Sequence, residues 1–260
     1  MSTDSRGSYY FDPVSYLEGC WVVPVGDAHV ALKRKVAVFM SRFHHDFRNN
    51  WDPSSAHVLE LGGGPSIGNL FSIGPYVSNI TFTDYLPTNV EQVALWKEKS
   101  PKAFNWDESF EHVAKEIVGQ DMDVKAVASE WQDQLRRKLT TLAHCDCTKE
   151  GFVDPSLVPE DGFDILITSG TLEHVARDVG EFRQMLKTCH SLLRKDGHLA
   201  IATYGLSTGY RLDETEYRDV YLTEEAVQSA ITEAGFTIDR FEQVISGEKR
   251  NYTCVARKKH

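Results

Sequence analysis

The sequence predicts an α/β fold, a mostly parallel sheet covered by helices on both faces and closed by an antiparallel hairpin. Three observations carry this. Short apolar runs alternate with longer helical patterns between residues 57 and 203, an order that requires crossover connections and therefore parallel strands. The first run, His57–Leu61, breaks at Gly62-Gly63-Gly64-Pro65, a turn where backbone can approach a ligand that any Cβ would exclude. The last two runs, 237–245 and 251–257, face each other across Ser246-Gly247-Glu248 and read as a hairpin.

The elements follow in order. Residues 1–11 end in Tyr9-Tyr10-Phe11, aromatics that read as docking the segment on the core. A short helix then opens at Asp12-Pro13, with the acid as cap and proline in the first turn. Asp27 caps a helix from Ala28 to about residue 49, whose apolar positions Val30, Leu32, Val36, Phe39 and Phe43 approximate one stripe. After the glycine turn, a helix is expected over 66–73 and a second strand over 79–83; Pro87 opens the next helix. Residues 101–138 read as charged covering helices, an insertion and not a second domain. Strand three spans 139–144 and strand four 163–168. The helix over 178–193 stops at Lys195-Asp196-Gly197, and strand five spans 198–203. Its exit loop, 204–221, is long, polar and aromatic, and Thr223-Glu224-Glu225 caps the last helix. We therefore expect one domain over 1–260, with 1–50 as N-terminal lid and helices and 51–260 as core.

Composition bounds the function. Hydrophobic content of 41% and charged content of 25% are those of an ordinary soluble globular chain. A net charge of −10 disfavours a phosphate-tracking nucleic-acid binder. The short basic clusters, Lys33-Arg34-Lys35 among them, read as solvated helix faces. Five cysteines without a CxxC pair disfavour a disulfide or zinc framework, and Cys145 and Cys147 would point to opposite faces if extended. His29, His44 and His45 lack a carboxylate at ligand spacing and read as solvated or capping groups, so no metal is expected. No leader or apolar run long enough to span a membrane is apparent. A cytoplasmic monomer acting on a small molecule is the expectation.

Two carboxylates near the glycine turn indicate chemistry. Glu60 lies inside the first strand, where a buried carboxylate costs several kcal/mol unless partnered; a ligand ammonium would be such a partner. Asp84 lies 20 residues beyond Gly64 at the end of the second strand, where a carboxylate can accept the hydroxyls of a ribose. Ligands of such sheets sit outside the carboxyl ends of the strands, and Gly62–Pro65, Asp84, Asp146 and Ser169–Glu173 all fall there. The third glycine of G-x-G-x-x-G is absent, Ile67 standing in its place.

Over roughly residues 11 to 258 the chain resembles class I S-adenosylmethionine-dependent methyltransferases. It resembles in particular the branch holding nicotinamide, phenylethanolamine and indolethylamine N-methyltransferases and thioether methyltransferase. The likeness rests on Phe11-Asp12-Pro13-x-x-Tyr16-Leu17-Glu18, Gly62-x-Gly64-Pro65, Thr83-Asp84-Tyr85 with Asn89, 102–106, Cys145-Asp146 and 233–236. It implies a seven-stranded Rossmann-like sheet under an N-terminal helical lid, and S-adenosylmethionine as cofactor. By this resemblance Tyr16 and Trp21 cover the site, Tyr16 touching cofactor or acceptor. Gly62, Gly64 and Thr83 would line the methionine part, Asp84 and Asn89 the ribose, and Tyr85 and Asp146 the adenine side, with Gly63, Cys147 and Ser169 also among the cofactor-binding residues.

The acceptor positions depart from the family pattern. Members that methylate nicotinamide place Asp at the end of strand five and Ser in the following loop, where this chain has Thr203 and Asp219. Ser207 and Tyr210 match, and Glu173, beside Gly170, matches a carboxylate with which the phenylethanolamine enzyme holds its amine. His174 reads either as a site residue or as a packed histidine below it. The implied reaction is methyl transfer to a small amine or N-heterocycle such as nicotinamide, with Tyr16, Glu173 and Asp219 in catalytic roles. The alternatives are a non-catalytic S-adenosylmethionine-binding protein, a thioether or other small-nucleophile methyltransferase, and an NAD-type oxidoreductase.

Overall fold

The computed structural model describes residues 11–22, 27–212 and 215–259, without the side chains of 210–212 and 215–217. Tyr9 and Tyr10 and the side chain of Tyr210 lie outside the described residues. Seven strands form one sheet: β1 (His57–Leu61), β2 (Asn79–Asp84), β3 (Leu139–His144), β4 (Phe163–Ser169), β5 (Leu193–Tyr204), and the closing pair β8 (Phe236–Ser246) and β9 (Lys249–Lys258). Their order is β3-β2-β1-β4-β5-β9-β8. The first five are mutually parallel, while β9 runs antiparallel to both β5 and β8. The chain leaves β1 toward β2 on one side and returns as β4 on the other, which puts the switch point of the sheet between the ends of β1 and β4.

Each central strand feeds two cores because successive side chains face opposite ways. Val58, Ile80, Phe82, Ile165 and Ile167 join the cluster packed against α2 (Ala28–Phe47), α4 (Asp107–Val118) and α5 (Val124–Lys138). Leu59, Leu61, Leu166, Leu199 and Ile201 join the cluster under α7 (Val179–Leu192) and α8 (Glu224–Glu233). The stripe of α2 is buried as its spacing predicts, with Leu32, Met40 and Phe43 fully enclosed. Caps fall where expected: Asp12 begins α1 (Pro13–Trp21), Asp27 begins α2, and Thr223 begins α8. Pro87 opens α3 (Pro87–Lys97).

Several expectations are corrected. No regular helix follows the glycine turn; only two single 3₁₀ turns, Gly68–Leu70 and Gly74–Tyr76, occupy that stretch. Gly68, Gly74 and Pro75 are poor helix formers, and the glycines are packed close: a Cβ on Gly68 would fall 2.2 Å from the Trp21 indole, and one on Gly74 2.9 Å from the Leu135 backbone. Helix α7 ends at Leu192 and β5 starts at once, with Lys195-Asp196-Gly197 forming a bulge where pairing jumps from Leu193 to His198. The exit loop of β5 holds its own two-stranded hairpin, β6 (Gly209–Leu212) and β7 (Thr215–Arg218). His44 is fully buried, not solvated, and pairs with the Ser72 hydroxyl at 3.1 Å; burial pushes its imidazole down to about 3. The chain is not extended at Cys145–Cys147: it turns after Cys145, and both cysteines are buried.

Candidate active site

The glycine turn is fastened by main chain. Gly63 N–H donates to the Thr83 carbonyl at 3.0 Å, Gly64 N–H to Asp84 Oδ2 at 2.8 Å, and the Thr83 hydroxyl to the Glu60 carbonyl at 2.8 Å. Gly62 adopts φ +65°, and a Cβ there would meet Thr171 at 2.3 Å, so only glycine fits. Thr171 follows β4 and donates its hydroxyl to the Gly62 carbonyl at 2.8 Å, tying the two switch-point strands together.

Beside this turn lies a cavity of about 190 Å³. Glu60, alternating with Val58, points to the α2 face and is fully buried. Its Oε1 accepts from Asn69, a cavity residue, at 2.8 Å, while Oε2 has no partner among the described residues. Burial pushes this carboxyl up to about 8, the signature of a charge whose counter-ion is not supplied by the chain. Asp84, 7% exposed, is also pushed up by burial, against the donors Leu86 N–H, Asn89 Nδ2 and Gly64 N–H. Asn89 Oδ1 is a second buried acceptor without a partner among the described residues. Two orphaned acceptors therefore flank the turn. They fit the ammonium and hydroxyl donors of an amino-acid nucleoside such as S-adenosylmethionine, because unpaired buried acceptors are costly until a ligand satisfies them.

The opposite wall is made of side chains. From α1 comes Tyr16, its ring 5.3 Å from that of Phe11. Lys33 of α2 stands 5.9 Å from the Tyr16 ring and 5.5 Å from the Tyr204 ring. His174 belongs to α6 (Leu172–Val175) and lines the cavity; its Nδ1 is hydrogen-bonded to Asp219 Oδ1. Asp219 Oδ2 accepts from the Ser207 hydroxyl at 2.8 Å.

The structure brings Tyr16, Trp21, Gly62, Gly63, Gly64, Asp84, Asn89, Ser169 and Gly170 to one cavity. Trp21, expected as a lid, is 5% exposed; it packs edge-on against Phe71 and Trp106 and so anchors α1 in the core. Thr83 acts through the turn behind the wall. Glu173 lies outside the lining at 1% exposure, and its Oε1 accepts the Tyr204 N–H at 2.7 Å. Thr203 is fully buried, with its hydroxyl unpartnered among the described residues. Tyr85 is 60% exposed beside His144, and the Asp146 carboxylate is taken by Thr148. The Cys147 thiol is buried in the second core. Lys33 is the residue that sequence reasoning missed. It was grouped with solvated lysines, although it lies three residues before Val36 and three after Val30, both buried.

Comparison with known proteins agrees with this geometry. The NNMT/PNMT/TEMT family model matches residues 4–258. Nicotinamide N-methyltransferase of Sus scrofa is 29% identical over 187 residues, 72% of this chain and 68% of that protein. Indolethylamine N-methyltransferase of Mus musculus is 30% identical over 68% of this chain and 65% of its own length. Phenylethanolamine N-methyltransferase of Homo sapiens is 26% identical over 88% and 78%. Among solved structures, Synechocystis magnesium protoporphyrin IX methyltransferase with bound S-adenosylhomocysteine has a TM-score of 0.58 at 12% identity, covering 95% of this chain and 93% of that one. At that identity the likeness is one of fold. With its strand order, glycine turn and matched span, the chain belongs to the NNMT/PNMT/TEMT family of S-adenosylmethionine-dependent methyltransferases.

Proposed function

We propose that this chain transfers a methyl group from S-adenosylmethionine to the nitrogen of a small amine or N-heterocycle. The observation that carries it is one cavity running from Asn69, Asp84 and the orphaned Asn89 acceptor at the glycine turn, with Glu60 behind Asn69, to the Tyr16, Gly170 and His174 wall. The family relatives named above for nicotinamide, indolethylamine and phenylethanolamine support nitrogen as the acceptor atom. The bound cofactor would supply a methyl group already activated on a sulfonium.

The chain's own part is placement. Glu60 and Asn69 hold the ammonium end, Asp84 and Asn89 the ribose. Tyr85 and the chain at Asp146–Cys147 border the adenine. Tyr16 and the tethered Trp21 exclude water, and aromatic faces favour a cationic sulfonium. Holding two reactants in line removes much of the entropic part of a bimolecular barrier. Among the acceptor residues, Ser207 and Asp219 act as one hydrogen-bonded unit with His174.

We further infer a single-domain cytosolic monomer working on small molecules; the net charge of −10 supports such a substrate over nucleic acid. Among the described residues no helix is long and apolar enough to cross a membrane. The test is methyl transfer from labelled S-adenosylmethionine to nicotinamide, other pyridines, arylethylamines and thioethers. Product on nitrogen compounds is expected; transfer only to sulfur or oxygen would reject the reading. Sedimentation as a single chain checks the monomer.

A further inference from the structure

We propose that Lys33 is the carboxylate-binding residue of the cavity, holding either the methionine carboxylate of the cofactor or an acid group on the acceptor. The cofactor arm of this inference needs only S-adenosylmethionine binding. The acceptor arm rests on the nitrogen acceptor proposed above and narrows it to acids.

The charges of the cavity and its ligand lead there. S-adenosylmethionine brings an ammonium, a sulfonium and a carboxylate. Glu60, behind Asn69, answers the ammonium, and aromatic faces suit the sulfonium. The main chain of the glycine turn does not answer the carboxylate: the Gly63 N–H donates to the Thr83 carbonyl and the Gly64 N–H to Asp84. Among the described residues lining the cavity, Lys33 is the one lysine or arginine. Helix α2 brings it there by its stripe. Val30 and Val36, three residues to either side, are buried, and Val36 lines the same cavity. Residues three apart share a helix face, so the Lys33 stem lies along apolar surface and its ammonium reaches the cavity. Nζ stands 5.9 Å from the Tyr16 ring and 5.5 Å from the Tyr204 ring, and a Cβ on Gly170 would come to 3.9 Å from it. Thr171, the next residue, clasps the Gly62 carbonyl. Nζ therefore lies near the place where the glycine turn meets the acceptor wall, open to a ligand group from either side.

This cation is not neutralised by an acid of the chain. The groups acting most on it are Tyr16, Tyr204 and Cys20, with no carboxylate among them. Burial works against the charge, but the Tyr16 and Tyr204 phenols, with Cys20, outweigh it and hold the ammonium well above the ordinary lysine range. Burial also pushes up the Tyr204 phenol and the Cys20 thiol, which keeps both neutral. The acids of the same wall have other partners. Glu173 lies outside the lining and its Oε1 accepts the Tyr204 N–H at 2.7 Å, while Asp219 is bonded to His174 and Ser207. A desolvated ammonium in this setting gains most from an anion that arrives with a ligand, because charge-assisted hydrogen bonds are about twice as strong as neutral ones. Lys33 thus mirrors Glu60: each is a charge whose counter-ion comes with the ligand, of opposite sign, in one cavity of about 190 Å³.

The experiment measures ligand binding to wild type, Lys33→Met and Lys33→Gln by calorimetry, with ligands paired to differ at the carboxylate. The cofactor pair is S-adenosylhomocysteine and its decarboxylated analogue, which keeps the ammonium. The acceptor pairs, offered to protein saturated with S-adenosylhomocysteine, are pyridine-3-carboxylate with nicotinamide and phenylalanine with phenylethylamine. Both variants are expected to lose about 30-fold in affinity for the acid member of a pair, with its twin changed by less than about threefold. Selective loss in the cofactor pair assigns Lys33 to the methionine carboxylate. Selective loss in an acceptor pair assigns it to the acceptor and makes acids the substrate class. Unchanged affinity for the decarboxylated analogue identifies the folded variants. Equal losses within every pair, or no loss in any pair for a folded variant, would overturn the proposal. Wild-type crystals grown with S-adenosylhomocysteine and pyridine-3-carboxylate need no variant. A carboxylate oxygen within about 3.2 Å of Nζ is expected, and an Nζ that faces no carboxylate overturns the proposal as well. A wild type that binds S-adenosylhomocysteine but methylates no nitrogen compound overturns the functional reading above, and the cofactor pair still decides Lys33.

Discussion

At the glycine-turn end of the cavity a ligand meets main chain and polar side chains from one stretch of sequence; at the Tyr16 end it meets side chains from separate segments. The first end is assembled within residues 60–89, by hydrogen bonds such as Gly64 N–H to Asp84 at 2.8 Å. The second draws on α1, α2, α6, β5 and the stretch around Ser207 and Asp219. Backbone geometry tolerates no substitution at Gly62 without a clash, whereas the second end is set by side-chain contacts such as the Ser207–Asp219–His174 unit. One end is built to hold a constant ligand and the other to be re-specified, with both facing the same cavity of about 190 Å³.

The largest effect that sharpens this comparison is at Glu60. Its carboxyl stands at about 8 in the folded chain against an ordinary value of 4.5. The ligand-free fold thus binds more protons than the unfolded chain between those values. The stabilisation is complete below about pH 4.5 and is lost as pH rises through 8, on the order of 5 kcal/mol over the window. Glu60→Gln should abolish this slope in melting curves taken from pH 5 to 8.5. Cofactor binding near pH 7 should release close to one proton, by calorimetry in buffers of differing ionisation heat. A wild-type slope of the opposite sign would break the assignment.

A smaller effect separates anchor from wall at the other end. Trp21→Ala should cost about 3–4 kcal/mol in denaturant unfolding, since it empties a site among Phe71, Trp106 and Gly68. Tyr16→Phe, which keeps the ring and removes one hydrogen-bonding hydroxyl, should cost about 1 kcal/mol of stability and act mainly on turnover. Similar unfolding costs for the two would erase the distinction. The least effect is expected at Tyr85, 60% exposed. Tyr85→Ala should shift stability by no more than about 0.5 kcal/mol and weaken cofactor binding less than Asp84→Ala does, as measured by titration.

The same division explains what could be read from sequence. Strand positions, caps and the glycine turn were legible because each depends on neighbours a few residues away: Asp27 on His29 and Val30, Gly64 on the strand before it. Orphaned Glu60 was legible as a carboxylate in a strand. The acceptor wall was not. Lys33 looks in sequence like its exposed neighbour Lys35, yet a lysine stem can lie along buried surface while its ammonium reaches a cavity. His174 and Asp219 are 45 residues apart and meet only through the fold. Glu173 was read through the resemblance as an amine holder; that its Oε1 also accepts the Tyr204 N–H, 31 residues on, is a contact only the fold shows. The close packing of Gly68 on Trp21 and of Gly74 on Leu135 likewise joins residues distant in sequence.

Helix α6 is only four residues long, yet two of its neighbours are hooked to its backbone and to Glu173: the Tyr204 N–H to the side chain, and the Val220 N–H to the Glu173 carbonyl at 3.0 Å. These hooks grip the entrance and exit of the segment carrying Ser207, the β6–β7 hairpin and Asp219. The next residue, His174, supplies the surface that a substrate meets. Attachment and recognition therefore reside on adjacent residues of one turn. The intervening segment is a cassette clipped at both ends, whose contents can be rewritten without unfastening it from the sheet.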